Sequence, residues 1–165
     1  MELNAPVPVL AIDAELLWRI GIAAVLGPLL GLDREIRGHA AGLRTHGLIC
    51  VSAAAMGIAV IALYLQFDRG GATRMDPLRI FEATGAFVGF LGAGLIVFAR
   101  GKLHNLTTAA HLWLTAVIGV ACGTGLWPLV AVCTVASVAM LTVLAFIEGD
   151  WSRDRRIGMP PQEKP

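Results

Sequence analysis

Leu103-H-N-L-T-T-A-A-H-L-W-L-T-A-V-I-G-V-A-C-G-T-G-L-W-P-L-V-A-V-C-T-V-A-S-V-A-M-L-T-V-L-A-F-Ile147 contains no Asp, Glu, Lys or Arg. A bilayer core about 30 Å thick is crossed by roughly 20 apolar helical residues, so this run is too long for one crossing. Gly123-T-G-L-W-Pro128 breaks it with turn residues. The run therefore predicts two spans joined by a tight turn, about 107–123 and 127–147, and an all-α membrane protein.

The rest of the chain reads against the same length. Residues 47–65 carry no charge, and 83–99 lie uncharged between Glu82 and Arg100. The first segment, about 15–32, is weaker: Arg19 lies inside it and Gly27-Pro28 would kink it. A long arginine can snorkel to the interface, so the segment counts as a span. The expectation is a bundle of about five transmembrane helices, near 15–32, 47–65, 80–99, 107–123 and 127–147. They form one membrane domain over 15–148, after a short N-terminal segment, 1–14. That segment lacks the basic n-region of a cleaved signal peptide and is expected to be retained. Residues 149–165 are polar and end in M-P-P-Q-E-K-P, predicting a disordered tail with Trp151 at the headgroups.

Composition agrees: 56% of the 165 residues are hydrophobic and 15% charged. A net charge of +1 creates no field that would gather nucleic acid. Cys50, Cys122 and Cys133 lie in apolar runs without metal or redox spacing and read as packing residues. Five spans place the termini on opposite sides. With the C-terminus inside, the inner face collects Arg34, Arg37, Arg44, Arg100, Lys102, Arg153, Arg155, Arg156 and Lys164, leaving Arg19, Arg69, Arg74 and Arg79 outside. The positive-inside rule then favours N-out, C-in.

Lipid gives helices no hydrophobic reason to associate, so small residues must let backbones approach. In Thr84-G-A-F-V-G-F-L-G-A-Gly94, Gly85, Gly89, Gly92 and Gly94 supply a glycine-rich packing segment in the third span. Gly27 with Gly31, and Ala53 with Gly57, repeat the small-x-x-x-small spacing.

The concentrated charge is Gly31-L-D-R-E-I-R-G-H-A-A-G-L-R-T-His46. Asp33 and Glu35 are conceivable ligands for a hard cation such as Mg²⁺, but residues two apart on a helix point about 200° apart. The competing reading pairs Asp33 with Arg37 and lets Glu35 meet Arg34, Arg44 or another basic side chain. Thr45 suits a helix N-cap, while Arg44 and His46 are functional candidates. Glu82 opens the third span near the outer interface, where Arg79 or Arg74 would pair with it. His111 reads as a hydrogen-bonded core histidine, set against a proton or ion relay. Thr107 and Thr108 would cap that helix or satisfy neighbouring backbone. The chain shows no phosphate-binding loop, zinc-protease motif or nucleophile elbow, so no enzyme and no resident cofactor is expected.

Gly31-L-D-R-E-x-x-Gly38, Ala41-G-L-R-T-His46, Gly89-F-L-G-A-Gly94 and Leu106-T-T-A-A-x-L-Trp113 resemble the MgtC/SapB family of bacterial inner-membrane proteins over roughly residues 15 to 145. The Asp76-P-L-R-Ile80 segment fits as well. Asp33 stands where Glu is common, Phe87 where a small residue is usual, and Asn105 where Gly often precedes the Thr pair. The resemblance implies a multi-pass protein linked to growth in low magnesium, without the cytoplasmic C-terminal domain that some members carry. It leaves two readings open: a modulator of another membrane complex, or a transporter or channel for Mg²⁺ or another small solute. A transporter would need a polar path from Glu82 to Asp33. A scaffold, as a homo-oligomer in the bilayer, is a third.

Overall fold

The computed structural model describes residues 14–68, 76, 78–99 and 102–157, with side chains placed for 14–65, 76, 78–79, 81–97 and 103–143. α1 (Ala14–Ile36), α2 (Leu43–Asp68) and α3 (Leu78–Leu95) are followed by a small antiparallel ribbon, β1 (Val97–Ala99) with β2 (Lys102–His104), then α4 (Leu106–Thr124) and α5 (Trp127–Ile157). This is the all-α membrane bundle that the apolar runs predict. Ala14–Ile36, Leu43–Leu65 and Leu106–Thr124 are each long and apolar enough to cross a bilayer, and shorter apolar stretches cover Phe81–Leu95 and Trp127–Val143.

Several boundaries differ from the expectation, each for a local reason. α1 passes through Pro28 and runs to Ile36, so Asp33, Arg34 and Glu35 are helical. Arg37 Nε donates to Asp33 Oδ1 one turn back, at 2.7 Å, the i,i+4 geometry that supports a last turn. Gly38 then stops the helix in the left-handed region, φ 67°. The Gly38 and His39 N–H groups donate to the Glu35 and Arg34 carbonyls, at 3.1 and 2.9 Å, the paired bonds of a Schellman end.

α2 starts at Leu43, four residues before the expected 47, because Glu35 Oε2 accepts from the Leu43 N–H at 3.1 Å. The carboxylate of the preceding helix therefore occupies the role assigned to Thr45. α3 ends at Leu95, and Val97–Ala99 pairs with Lys102–His104 instead of continuing the helix. The connection from α4 to α5 lies within the expected break: Gly125 has φ 75° and donates to the last α4 carbonyls. Pro128 follows in the first turn of α5, where its missing N–H is harmless. α5 continues to Ile157, past Gly149 where a disordered tail was expected. Propagating an existing helix by a few residues is easier than nucleating one. The expected tail beyond residue 157 and the side chains of Trp151 and its neighbours lie outside what is described.

α4 is the central element. Thr108, His111, Leu112, Thr115, Ala116, Ile118, Gly119, Ala121 and Cys122 are all buried on it, and two apolar layers surround it. One joins Ala23, Leu30, Cys50, Ala54, Ile118, Cys122 and Val130; the other joins Ala41, Ile49, Ala53, Val88, Leu112 and Ala116. Cys50 and Cys122 thus pack in the core, while Cys133 is half-buried.

Backbone-to-backbone approach holds α2 on α4. A Cβ on Gly119 would collide with the Cys50 carbonyl oxygen, and one on Gly123 with that of Ala54. α1 meets α2 similarly: a Cβ on Gly27 would lie 2.8 Å from the Gly47 Cα, and one on Gly31 2.7 Å from the Gly42 oxygen. The glycine-rich segment of α3 divides. Gly85 abuts the Trp113 ring and Gly92 abuts Ala109, whereas Gly89 and Gly94 have nothing within 4 Å. Successive residues turn about 100° on a helix, so the contact face centres near Gly85, Val88 and Gly92. Gly89 lies off its edge, and Gly94 and the exposed Phe87 lie on the opposite side.

Gly119→Ala is expected to lower the thermal unfolding midpoint in detergent, since overpacking of this kind costs about 1–3 kcal/mol. Gly89→Ala is expected to leave it unchanged or raise it, Ala being favoured over Gly in an open helix position by up to about 1 kcal/mol. Scanning fluorimetry of the two purified variants reads the contrast, and equal behaviour would contradict this packing.

Candidate functional site

The end of the bundle where α1 stops and α2 and α4 start holds a buried polar network. α2 supplies His46 and α4 supplies His111; the former is fully buried and the latter nearly so. α5 adds Ser137, which the sequence did not single out. The Gly42 carbonyl lies 2.9 Å from His46 Nδ1, His46 Nε2 lies 2.9 Å from His111 Nδ1, and His111 Nε2 lies 2.8 Å from Ser137 Oγ.

The chemistry of the end groups orders this chain. A carbonyl only accepts, so His46 Nδ1–H donates to Gly42. With both rings neutral, His46 Nε2 accepts from His111 Nδ1–H, and His111 Nε2 accepts from the Ser137 hydroxyl. One tautomer of each ring therefore satisfies every link. The network ties the first turn of α2 and the second turn of α4 to α5, with His111 hydrogen-bonded inside the bundle. Thr115 Oγ1 donates to the His111 carbonyl at 2.9 Å.

Beside this network lies a cavity of about 520 Å³ between α1, α4 and α5. Asp33, Arg34, Arg37, His39, Thr107, His111 and Ser137 give it a polar wall, and Ala110, Leu114, Met140 and Leu141 an apolar one. Arg34 is only 4% exposed, and its Nε and Nη2 are buried with no hydrogen-bond partner among the described residues. The buried Thr108 hydroxyl also lacks one. Neither Thr107 nor Thr108 caps α4. Its N-cap is Asn105, in the left-handed region at φ 63° and without a side-chain cap hydrogen bond. Asn105 Nδ2 instead donates to the Leu95 carbonyl at 3.1 Å, tying α3 to α4.

The opposite end of α1 carries a second buried arginine under opposite conditions. Arg19 Nη1 donates to the Gly123 carbonyl at 2.9 Å and its Nε to Glu15 at 2.8 Å. Its guanidinium is buried between helices instead of snorkelling outward. There it meets the C-terminal turn of α4, where the helix dipole favours a cation.

The two carboxylates of the charged block do not converge. Asp33 faces the cavity and is engaged by Arg37, while Glu35 turns to the start of α2 instead of meeting a basic side chain. Among the described residues no group of three or more His, Cys, Asp or Glu is placed to hold a metal ion. Arg44 is exposed on the first turn of α2, and Thr45 lines a different, apolar groove with Leu48, Met56 and Phe87 between α2 and α3. Glu82 is exposed on α3, and no ion pair with Arg79 is found among the described residues; Arg74 lies outside them. Of the sequence candidates, Asp33, Arg34, Thr107 and His111 come together at the cavity with His46 adjoining, and Arg44, Thr45 and Glu82 stand apart.

The sequence model of the MgtC family matches residues 20–149. Curated relatives include YhiD of Escherichia coli (strain K12), 38% identical over 133 residues, covering 79% of this chain and 60% of that protein. SapB of Bacillus subtilis (strain 168) is 36% identical over 117 residues, 70% of this chain and 50% of that protein. MgtC of Brucella abortus (strain 2308) is 37% identical over 122 residues, 74% and 48% respectively. The chain thus spans about half to three fifths of the length of these relatives. No solved structure matches.

Because His46, His111 and Ser137 form one chain, their substitutions are expected to be strongly non-additive. His46→Ala and His111→Ala should each destabilise by about 1–3 kcal/mol, leaving a buried partner unsatisfied. The double variant should lose clearly less than the sum. Denaturant unfolding in detergent measures this, and simple additivity would mean that the two rings do not bond.

Proposed function

Because the chain belongs to the MgtC family, we propose that it is a non-enzymatic, multi-pass protein of the bacterial inner membrane that supports growth when magnesium is scarce by contacting another membrane complex. The observation that carries this reading is the buried guanidinium of Arg34 in the wall of the polar cavity. A hard divalent cation wants carboxylate and water oxygens. Here Arg34 and Arg37 line the cavity, and among the described residues the one carboxylate in its wall, Asp33, is already held by Arg37.

Transport of Mg²⁺ is the second reading, favoured by one observation: the relative YhiD is named as a candidate magnesium transporter. A conducting route needs polar stations in sequence. Below the histidine network, the packed layer of Ala23, Leu30, Cys50, Ala54, Ile118 and Cys122 separates the Arg34 end from the Arg19 end. Glu82 is exposed on α3 and stands outside that layer. Both features support a regulatory role over a permeation path.

In the regulatory reading, the end bearing Arg37, His39 and Arg44 is the cytoplasmic contact face. All three residues are exposed there, and basic residues are retained on that side of a membrane.

Purified protein in liposomes loaded with a Mg²⁺-sensitive dye is expected to show no uptake above protein-free vesicles; flux abolished by Asp33→Asn would establish transport instead. In cells, Arg44→Glu is expected to impair growth in low-magnesium medium and to reduce co-purification of a membrane complex, at unchanged abundance of the protein. Normal growth of that variant would remove Arg44 from the contact face.

A further inference from the structure

We infer that the cavity between α1, α4 and α5 is a binding site for a phosphate group, held by Arg34 at its polar wall. The inference is independent of whether the protein modulates a partner or carries a solute, because it concerns what compensates a buried cation.

Three observations meet at this place. First, Arg34 is a cation 96% removed from solvent, and the two nitrogens left without acceptors are Nε and Nη2. Those two lie on one edge of the planar guanidinium and donate side by side, the fork that two oxygens of a phosphate or carboxylate match. Buried donors of a charged group that lack acceptors are costly, so the arrangement calls for an acceptor. The two carboxylates adjacent in sequence are engaged elsewhere, Asp33 by Arg37 and Glu35 by the Leu43 N–H.

Second, the cavity adjoins the first turn of α4. Thr107 lines it, and the helix has no side-chain cap there. A helix N-terminus carries partial positive charge and free N–H groups that favour an anion. Arg19 shows the opposite arrangement on the same helix, with its guanidinium against the C-terminal Gly123 carbonyl. Arg34 and the first turn of α4 thus border one cavity, where an anion would relieve both. With Arg37 and Asp33 cancelling, Arg34 leaves the wall with a net positive charge.

Third, the cavity is two-sided. Besides the arginines of α1, Leu114 of α4 and Met140 and Leu141 of α5 present apolar surface to it, and Met140 is exposed at its edge. A cationic head region over an apolar slot at the end of a membrane helix matches a phospholipid, with its phosphate on Arg34 and an acyl chain along α5. Inorganic phosphate shares the head-group chemistry without using the slot.

The test uses the whole chain, purified and delipidated in detergent, with native mass spectrometry counting bound molecules. Phosphatidylglycerol is compared with diacylglycerol, which has the acyl chains and lacks the phosphate, and inorganic phosphate with chloride. The expected result is retention of phosphatidylglycerol over diacylglycerol, weakened at least about tenfold in Arg34→Gln by loss of a charge-assisted fork. Ala110→Trp, which fills the cavity from α4 and leaves Arg34 in the sequence, should weaken it similarly and decides the matter if Arg34→Gln does not fold. Binding of inorganic phosphate with the same dependence on either variant supports the site with a soluble anion as its occupant. Equal retention of diacylglycerol, no binding of either phosphate source, or binding that survives both substitutions would overturn the proposal.

Discussion

The fold depends on how closely α2 and α4 approach each other. In lipid no solvent pushes apolar helices together, so attraction must come from contact itself, which grows steeply as backbones near one another. Gly119 and Gly123 leave the α4 surface bare where the Cys50 and Ala54 carbonyls lie. That contact fixes the height of α2 against α4 and so brings His46 within hydrogen-bond reach of His111. A bulkier residue at either glycine would move the polar end as well as the apolar layer.

The bundle was legible because its signals are local. Long uncharged runs separated by Gly, Pro and charge gave the helices of an all-α membrane protein. Helix ends depart from the apolar runs where the terminating interaction comes from elsewhere in the chain. Glu35, on one helix, starts the next by accepting from Leu43, and nothing in Leu43-R-T-His46 announces a cap eight residues upstream. The ribbon that ends α3 depends on pairing between Val97–Ala99 and Lys102–His104, a non-local choice that apolar counting cannot see.

The polar site was legible in part. Asp33, Arg34, Thr107 and His111 stood out as charged or polar residues in apolar surroundings. Ser137 did not, since one hydroxyl inside Ala136-S-V-Ala139 is unremarkable until His111 is placed beside it. The glycines show the same division. Those of α3 were conspicuous by number, yet two of them face away from any neighbour, while Gly119 and Gly123 matter because of which carbonyls oppose them. Spacing along a helix identifies a shared face; only the partner shows which face is used.

The helix ends at Gly38 and Gly125 are closed by the same pair of backbone hydrogen bonds. Connections this short bear on how the protein is made. Neither α1 with α2 nor α4 with α5 has enough intervening chain for one helix to settle across the bilayer while the other waits far away. Each pair therefore enters the membrane as a preformed helical hairpin, and α3 comes between them singly. The contacts that hold α4 to α2 form only when the second hairpin meets the first, so the polar end is assembled after both hairpins are in place.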